Sequence, residues 1–254
     1  MTYSKLSMAL AAATCLVLAA CAGEAVDPEE ATPAADTPYD HGAVTPPEPL
    51  TEHPDSSDWP ELFAEDFSGA VNPGGVWSFD DEGVLTTYEE GDLFTEATYD
   101  DFIIDLEFMN GEGANSGVIV YASSIENWVP NSIEIQVHDS YDRRDEPDRS
   151  IHECGSIYGH VPPRVQTVNP PGEWNRMTIR CVGPFIDVVM NGEHVASMDM
   201  REWTSATINP DGSEIPEWLS RAKATLEPRG HIGLQALHGD NPVYYRNLRI
   251  SELD

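Results

Sequence analysis

The sequence predicts an all-β fold, a sandwich of two antiparallel sheets, on three observations. Short runs alternate between apolar and polar residues with a period of two. Glycine and proline, 19 and 20 of 254 residues, punctuate those runs as turns do. No long stretch carries the 3.6-residue periodicity of an amphipathic helix.

The chain opens with one positive charge, Lys5, and an apolar run from Leu6 to Ala20 that is too short to span a bilayer, which takes about 20 apolar residues. That layout predicts a secretory signal peptide over residues 1–20. It ends in Leu18-Ala19-Ala20-Cys21, which resembles a bacterial lipobox, so Cys21 is expected to accept lipid. An ordinary signal cut near Ala20, with Cys21 a spare thiol, is the other reading. Residues 21–58 are rich in Pro, Ala, Thr and acid and are expected to form a flexible, extended tether. A folded domain is expected over residues 59–254.

Within that domain, Phe102, Ile104, Leu106 and Phe108 alternate with Ile103, Asp105 and Glu107 as in a half-buried strand. The turn Gly113-Ala114-Asn115-Ser116-Gly117 leads into a second, Val118–Tyr121. Ile133, Ile135 and Val137 alternate with Glu134, Gln136 and His138 in a third. Met177–Val182 and Phe185–Met190 follow, then Asn191-Gly192, a type I′ hairpin signal, with Val195–Met198 as the return strand. Glu217–Leu226, after Pro216, is expected to form a short helix. Ile232–Leu237 and Tyr244–Ile250 complete the strands. The segment Ser140–Pro171 carries too much Pro, Gly and charge to be core, and its length marks a functional loop.

The formal net charge is −32, with 45 acidic against 13 basic residues. Such a surface repels phosphate and disfavours nucleic acid, while a neutral partner such as a sugar is compatible with it. Cys154 and Cys181 are the only cysteines beyond the leader, and nothing in their spacing resembles a zinc site.

Several groups could carry chemistry. On a strand, Glu134, Gln136 and His138 share one face, with Asp139 next in line. A retaining glucanase needs two carboxyls about 5–5.5 Å apart, and Gln136 interrupts that pattern. A solvated strand face is the bland reading of the same residues. Asn115-Ser116-Gly117 enters a strand at a turn. Gly155–Gly159 contains Tyr158, and the neighbouring His152, Glu153 and His160 are candidate metal ligands. Trp174 either stacks on a sugar or packs at a strand start. His238 ends one strand and Arg246 lies on the next, with Glu134 as its expected carboxylate partner.

Together, Asn115-Ser116-Gly117, Glu134-Ile135-Gln136, Tyr158-Gly159, Pro171-Gly172-Glu173-Trp174-Asn175, Asn191-Gly192, Gly233-Leu234-Gln235, His238-Gly239, Val243 and Arg246-Asn247-Leu248 form an ordered set. That set resembles the 3-keto-disaccharide hydrolase family, over roughly Leu62 to Leu253. His138 departs from it, as does Ala236-Leu237 before His238.

The resemblance implies a jelly-roll sandwich like that of concanavalin A, often carried by lipoproteins, and activity on glycosides oxidised at C3. A ketone at C3 acidifies the C2 proton; a base removes it, the C1 substituent leaves, and water adds back. On that chemistry Glu134 or His238 serves as base or acid, and Arg246 orients Glu134 or stabilises the enolate. Asn115, Gln136, His138, Asp139, Tyr158 and Trp174 hold the sugar. A divalent metal at the enolate oxygen would serve the same end. The expected setting is an exported, membrane-anchored lipoprotein at the periplasmic or outer surface. Its substrate is an oligosaccharide or glycoside, and a separate oxidoreductase makes the 3-keto sugar. The competing expectations are a non-catalytic carbohydrate-binding lipoprotein and a glucanase acting on unoxidised glucan.

Overall fold

The computed structural model describes residues 37–253; the leader, Cys21 and the remainder of the expected tether to residue 36 lie outside the described residues. Twelve strands occur among those described. The first four are short: β1 (Ala70–Val71), β2 (Ser78–Phe79), β3 (Leu85–Thr86) and β4 (Leu93–Thr95). The longer ones are β5 (Phe102–Asn110), β6 (Asn115–Ala122), β7 (Ile133–His138), β8 (Trp174–Val182), β9 (Phe185–Met190) and β10 (Glu193–Asp199). β11 (His231–Leu234) and β12 (Val243–Glu252) complete the set.

They form two antiparallel sheets stacked as a jelly-roll sandwich. One has five strands in the order β1-β4-β11-β6-β7, the other seven in the order β10-β9-β8-β5-β12-β3-β2. Alternation decides what lies between them. Phe102, Ile104, Leu106 and Phe108 of β5 are buried in one core cluster with Ile133, Ile135 and Val137 of β7 and Val118 and Val120 of β6. Each such side chain contributes on the order of 1.5–3 kcal/mol by leaving water. Asn191 and Gly192 both have positive φ, 50° and 86°, and close the β9–β10 hairpin.

Three expectations are corrected. Glu217–Leu226 is not one helix but two single 3-10 turns, Glu217–Leu219 and Lys223–Thr225. Ala222 between them is extended (φ −62°, ψ 122°), which turns Lys223 inward. Ser140–Pro171 does contribute to the core, through the fully buried Cys154, Ile157 and Val168. Its backbone is satisfied against the free edge of β7: Gln136 N–H donates to the Ser156 carbonyl and Tyr158 N–H to the Glu134 carbonyl, 3.0 and 2.9 Å. The buried Glu153 carboxylate is neutralised by Arg143 and Arg149. Cys154 and Cys181 are both free and buried, packed as small apolar side chains.

The third difference is in the tether. Its C-terminal part, residues 37–58, lies along the outer face of the seven-stranded sheet. Arg180 and Arg176 of β8 donate to the Glu48 and Pro54 carbonyls, both at 2.6 Å. His53 binds Thr178 Oγ1 at 2.7 Å and accepts the Gly192 N–H at 3.0 Å. Tyr39 N–H donates to the Ala224 carbonyl at 2.9 Å. A chain poor in large apolar residues still offers backbone carbonyls, and guanidinium donors on the sheet hold them.

Candidate active site

The outer face of the five-stranded sheet carries a cavity of about 440 Å³ lined by Asn115, Trp128, Val129, Glu134, Gln136, Tyr158, Trp218, Gln235 and His238. The β7 alternation that buries Ile133, Ile135 and Val137 inward turns Glu134 and Gln136 outward onto this face. Gln136 Nε2–H donates to Asn115 Oδ1 on β6, 2.8 Å away, so two strands fix one amide pair on the cavity floor. Gly117 on β6 makes room for Glu134, since a Cβ there would overlap the Glu134 carboxyl.

Glu134 is 8% exposed, and its pKa is pushed up to about 8, first by burial and then by the nearby Asp92 carboxylate. Lys223 acts in the opposite direction. No hydrogen bond is among the influences on this carboxyl. The Lys223 ammonium is itself buried, donates to the Pro130 and Ser132 carbonyls at 3.1 and 3.0 Å, and is pushed down to about 7 by desolvation. Asp92 does not compete for substrate. Its two oxygens accept the Ala236 N–H at 2.9 Å and the Trp128 indole N–H at 2.7 Å, which fixes one aromatic wall.

The opposite wall is placed by a glycine. Gly159 has φ of 74°, and a Cβ on it would overlap Leu219, so its absence lets Leu219 seat and sets Trp218 beside Tyr158. His238 closes one end, its backbone N–H reaching the Asn115 carbonyl at 3.3 Å. Among these lining residues there is one carboxyl, Glu134, and one imidazole, His238.

Comparison with known proteins decides the family. A model described as the 3-keto-alpha-glucoside-1,2-lyase-like domain matches residues 56–251. The chain belongs to that family. A 3-keto-disaccharide hydrolase from Bacteroides thetaiotaomicron is 25% identical over 183 residues, which are 65% of this chain and 62% of that protein. The chain therefore spans about three-fifths of this curated relative. A solved structure from Parabacteroides distasonis, named as a proposed glycosyl hydrolase, superposes with a TM-score of 0.72 at 42% identity and covers 77% of this chain and all of its own. A second from the same organism shares the fold, with a TM-score of 0.58 at 24% identity.

The lyase-like domain brings Asn115, Glu134, Gln136, Tyr158 and His238 together as the sequence suggested. Four other expected residues lie elsewhere. Arg246 does not meet Glu134: it sits on β12 in the other sheet, pairs with its cross-strand neighbour Glu107 at 3.0 Å, and stacks 3.9 Å over the Trp174 ring. Trp174 thereby packs at the start of β8, outside the lining of the Glu134 cavity. Asp139 accepts the Gly113 N–H at 2.9 Å and pins the turn before β6. His138 lies at the end of β7, outside the cavity lining, half-buried and with its pKa lowered by burial. The proposed metal trio does not converge either: Glu153 is taken by two arginines, His152 meets Tyr158 edge-on, and His160 packs on Trp203. Among the described residues no group of three or more His, Cys, Asp and Glu could hold a metal ion.

Sequence reasoning missed Trp128, Val129, Trp218 and Lys223, and it marked Gln235 within the Gly233-Leu234-Gln235 motif without giving it a role. Trp128 was visible as an aromatic in a polar loop, Trp218 was read as part of a short helix, and nothing local to Lys223 marks it as buried.

A larger cavity, about 600 Å³, lies under the docked segment on the seven-stranded sheet. Most of its charged groups are already paired, Asp105 with Arg176 at 2.8 Å, Arg249 with Glu61 at 3.1 Å and Glu107 with Arg246 at 3.0 Å, while Asp55 is held by Ser57.

Proposed function

We propose that this domain cleaves 3-keto-glycosides by elimination and hydration, with Glu134 as the base. The observation that carries this reading is the lone cavity carboxyl with its raised pKa. Hydrolysis of an unoxidised glycoside takes two carboxyls, one on each side of the bond. Abstraction of a proton beside a ketone takes one base, ideally with a pKa near the working pH. The name of the Bacteroides relative supports the same substrate class.

In this mechanism the Glu134 carboxylate takes the C2 proton, and the C2–H electron pair forms the enolate. The C1–O bond then breaks, and the departing oxygen takes a proton from the His238 side of the cavity. Water adds at C1, a proton returns to C2, and the sum is hydrolysis. Asn115 and Gln136 supply fixed hydrogen-bonding groups to the sugar, and Trp128 and Tyr158 its apolar walls. Arg246 has no part. A buried acid that must ionise is costly for a module that only binds, which favours catalysis. The chain works outside the cytoplasm, anchored through lipid on Cys21, downstream of an oxidoreductase that makes the ketone.

The test pairs a native disaccharide with its 3-keto form. Turnover of the oxidised sugar alone, lost in Glu134→Gln, is expected. Binding without product would make the domain a carbohydrate-binding module, and cleavage of the native sugar would make it a glucanase.

A further inference from the structure

Trp218 is 57% exposed, an unusual state for so large an apolar ring. It is not on a loose loop. Its turn is pinned by Leu219, 3% exposed, whose N–H reaches the Pro216 carbonyl at 2.9 Å. One side of Trp218 lines the Glu134 cavity, and the other lines a second cavity of about 500 Å³. The two adjoin at a second point, where His152 of the outer cavity meets Tyr158 of the inner one, ring centroids 5.3 Å apart.

The outer cavity mixes apolar surface with acid. Ile208, 43% exposed, lies in its wall with Ile151, and Glu214 and Glu217 supply its charge. It has no Lys or Arg, and burial holds the His152 imidazole towards its neutral form. Such a surface favours a ring with an apolar face and hydroxyl edges, and it repels anions.

We propose that the two cavities are consecutive subsites and that the outer one receives the uncharged leaving-group ring of the substrate, stacked on Trp218. This rests on the 3-keto-glycoside reading and extends it: the preferred substrate carries a neutral second sugar or aryl ring, not a small alkyl group or a uronic acid.

The experiment compares kcat/KM for a 3-keto glucosyl-glucose, its glucuronic-acid counterpart and methyl 3-keto-glucoside, in wild type and in Trp218→Ala. The ratio of disaccharide to methyl glycoside is expected to fall about tenfold in the variant, the size of a lost stacking contact. The uronic acid is expected to be the poorer disaccharide, and Glu214→Gln with Glu217→Gln to narrow that gap. An unchanged ratio, or equal use of the neutral and acidic disaccharides, overturns the proposal. If wild type turns over none of the three, the catalytic reading fails by itself. Calorimetry with the intact neutral disaccharide then decides the subsite: weaker binding in Trp218→Ala upholds it, and equal binding overturns it.

Discussion

Gly117 lies beneath the carboxyl of Glu134, on the neighbouring strand, in space that a methyl group would occupy. Gly117→Ala is expected to swing the carboxyl out of place while leaving the sandwich folded, because the displaced atoms belong to a side chain and not to backbone. Turnover of a 3-keto disaccharide should fall by about 10²-fold or more, as misplacement of a base does. Wild-type activity in this variant, with an unchanged melting profile, would remove Glu134 from the mechanism.

Glu134→Gln should separate catalysis from stability. Loss of a general base costs about 10²–10⁴ in rate. The folded pKa of about 8 lies above the usual 4.5, so the folded state holds this proton more tightly than the unfolded chain. The contribution to stability is therefore complete below pH 4.5 and is lost as pH rises through about 8. Glutamine escapes that loss. The variant should match wild type in thermal melts near pH 4 and exceed it near pH 9 by up to about 5 kcal/mol. Parallel curves across that range would contradict the burial of this carboxyl as an acid.

As a base, Glu134 must be ionised, so wild-type kcat/KM should rise with pH through about 8. Lys223 opposes the upward shift. In Lys223→Met the rising limb should move slightly to higher pH, the shift being small because Lys223, pushed down to about 7, is only partly protonated where Glu134 ionises. The Pro130 and Ser132 carbonyls lose their donor, each at a cost of about 1–3 kcal/mol. A limb that stays in place would show that Lys223 is not felt at the reacting carboxyl.

Elimination followed by hydration leaves an isotopic record. Turnover in D₂O should place deuterium at C2 of the released 3-keto sugar, detectable by NMR. Because Glu134 can hand the same proton back, it is a fully protonated C2 together with no primary isotope effect on a C2-deuterated substrate that would exclude proton abstraction at that carbon.

The docked segment should respond to acid through His53. Because Nε2 accepts the Gly192 N–H, the proton sits on Nδ1, which faces Thr178. Burial first, then Arg176, lowers the His53 pKa below 6.5, while Asp105 raises it. The contact is therefore complete above pH 6.5 and is lost as pH falls through the depressed value, when Nε2 gains a proton and can no longer accept. Proteolysis within residues 37–58 should accelerate over that acid range. His53→Ala should be cut quickly at every pH; if its pH dependence persists, the switch lies elsewhere.

The main strands were legible because period-two alternation survives wherever a strand is buried on one side, as in β5 and β7. β1 to β4 were not, since two or three residues leave no period to detect. The pairing of Glu134 with Arg246 failed for a different reason. Facing residues are set by strand order across two sheets, and β12 lies against β5, where Glu107 is the nearest acid. Residues 37–58 were read from composition, which measures how little apolar surface they bury. It does not register that their carbonyls can be held by arginines 120 to 160 residues away in sequence. Trp218 and Lys223 depended on how Pro216–Leu226 breaks into two turns, where Leu219 seats against Gly159 of a distant loop.

The docked segment also sets where mechanical load enters the domain. Tension on the chain from the N-terminal side of Tyr39 passes through the Tyr39 and His41 bonds to the Ala224 carbonyl, next in sequence to Lys223. The contacts at Val44, Glu48 and Pro54 come behind it in series, so the segment unzips one contact at a time before any sheet is sheared. A pull would therefore reach the turn beneath Glu134 before it reached the sandwich.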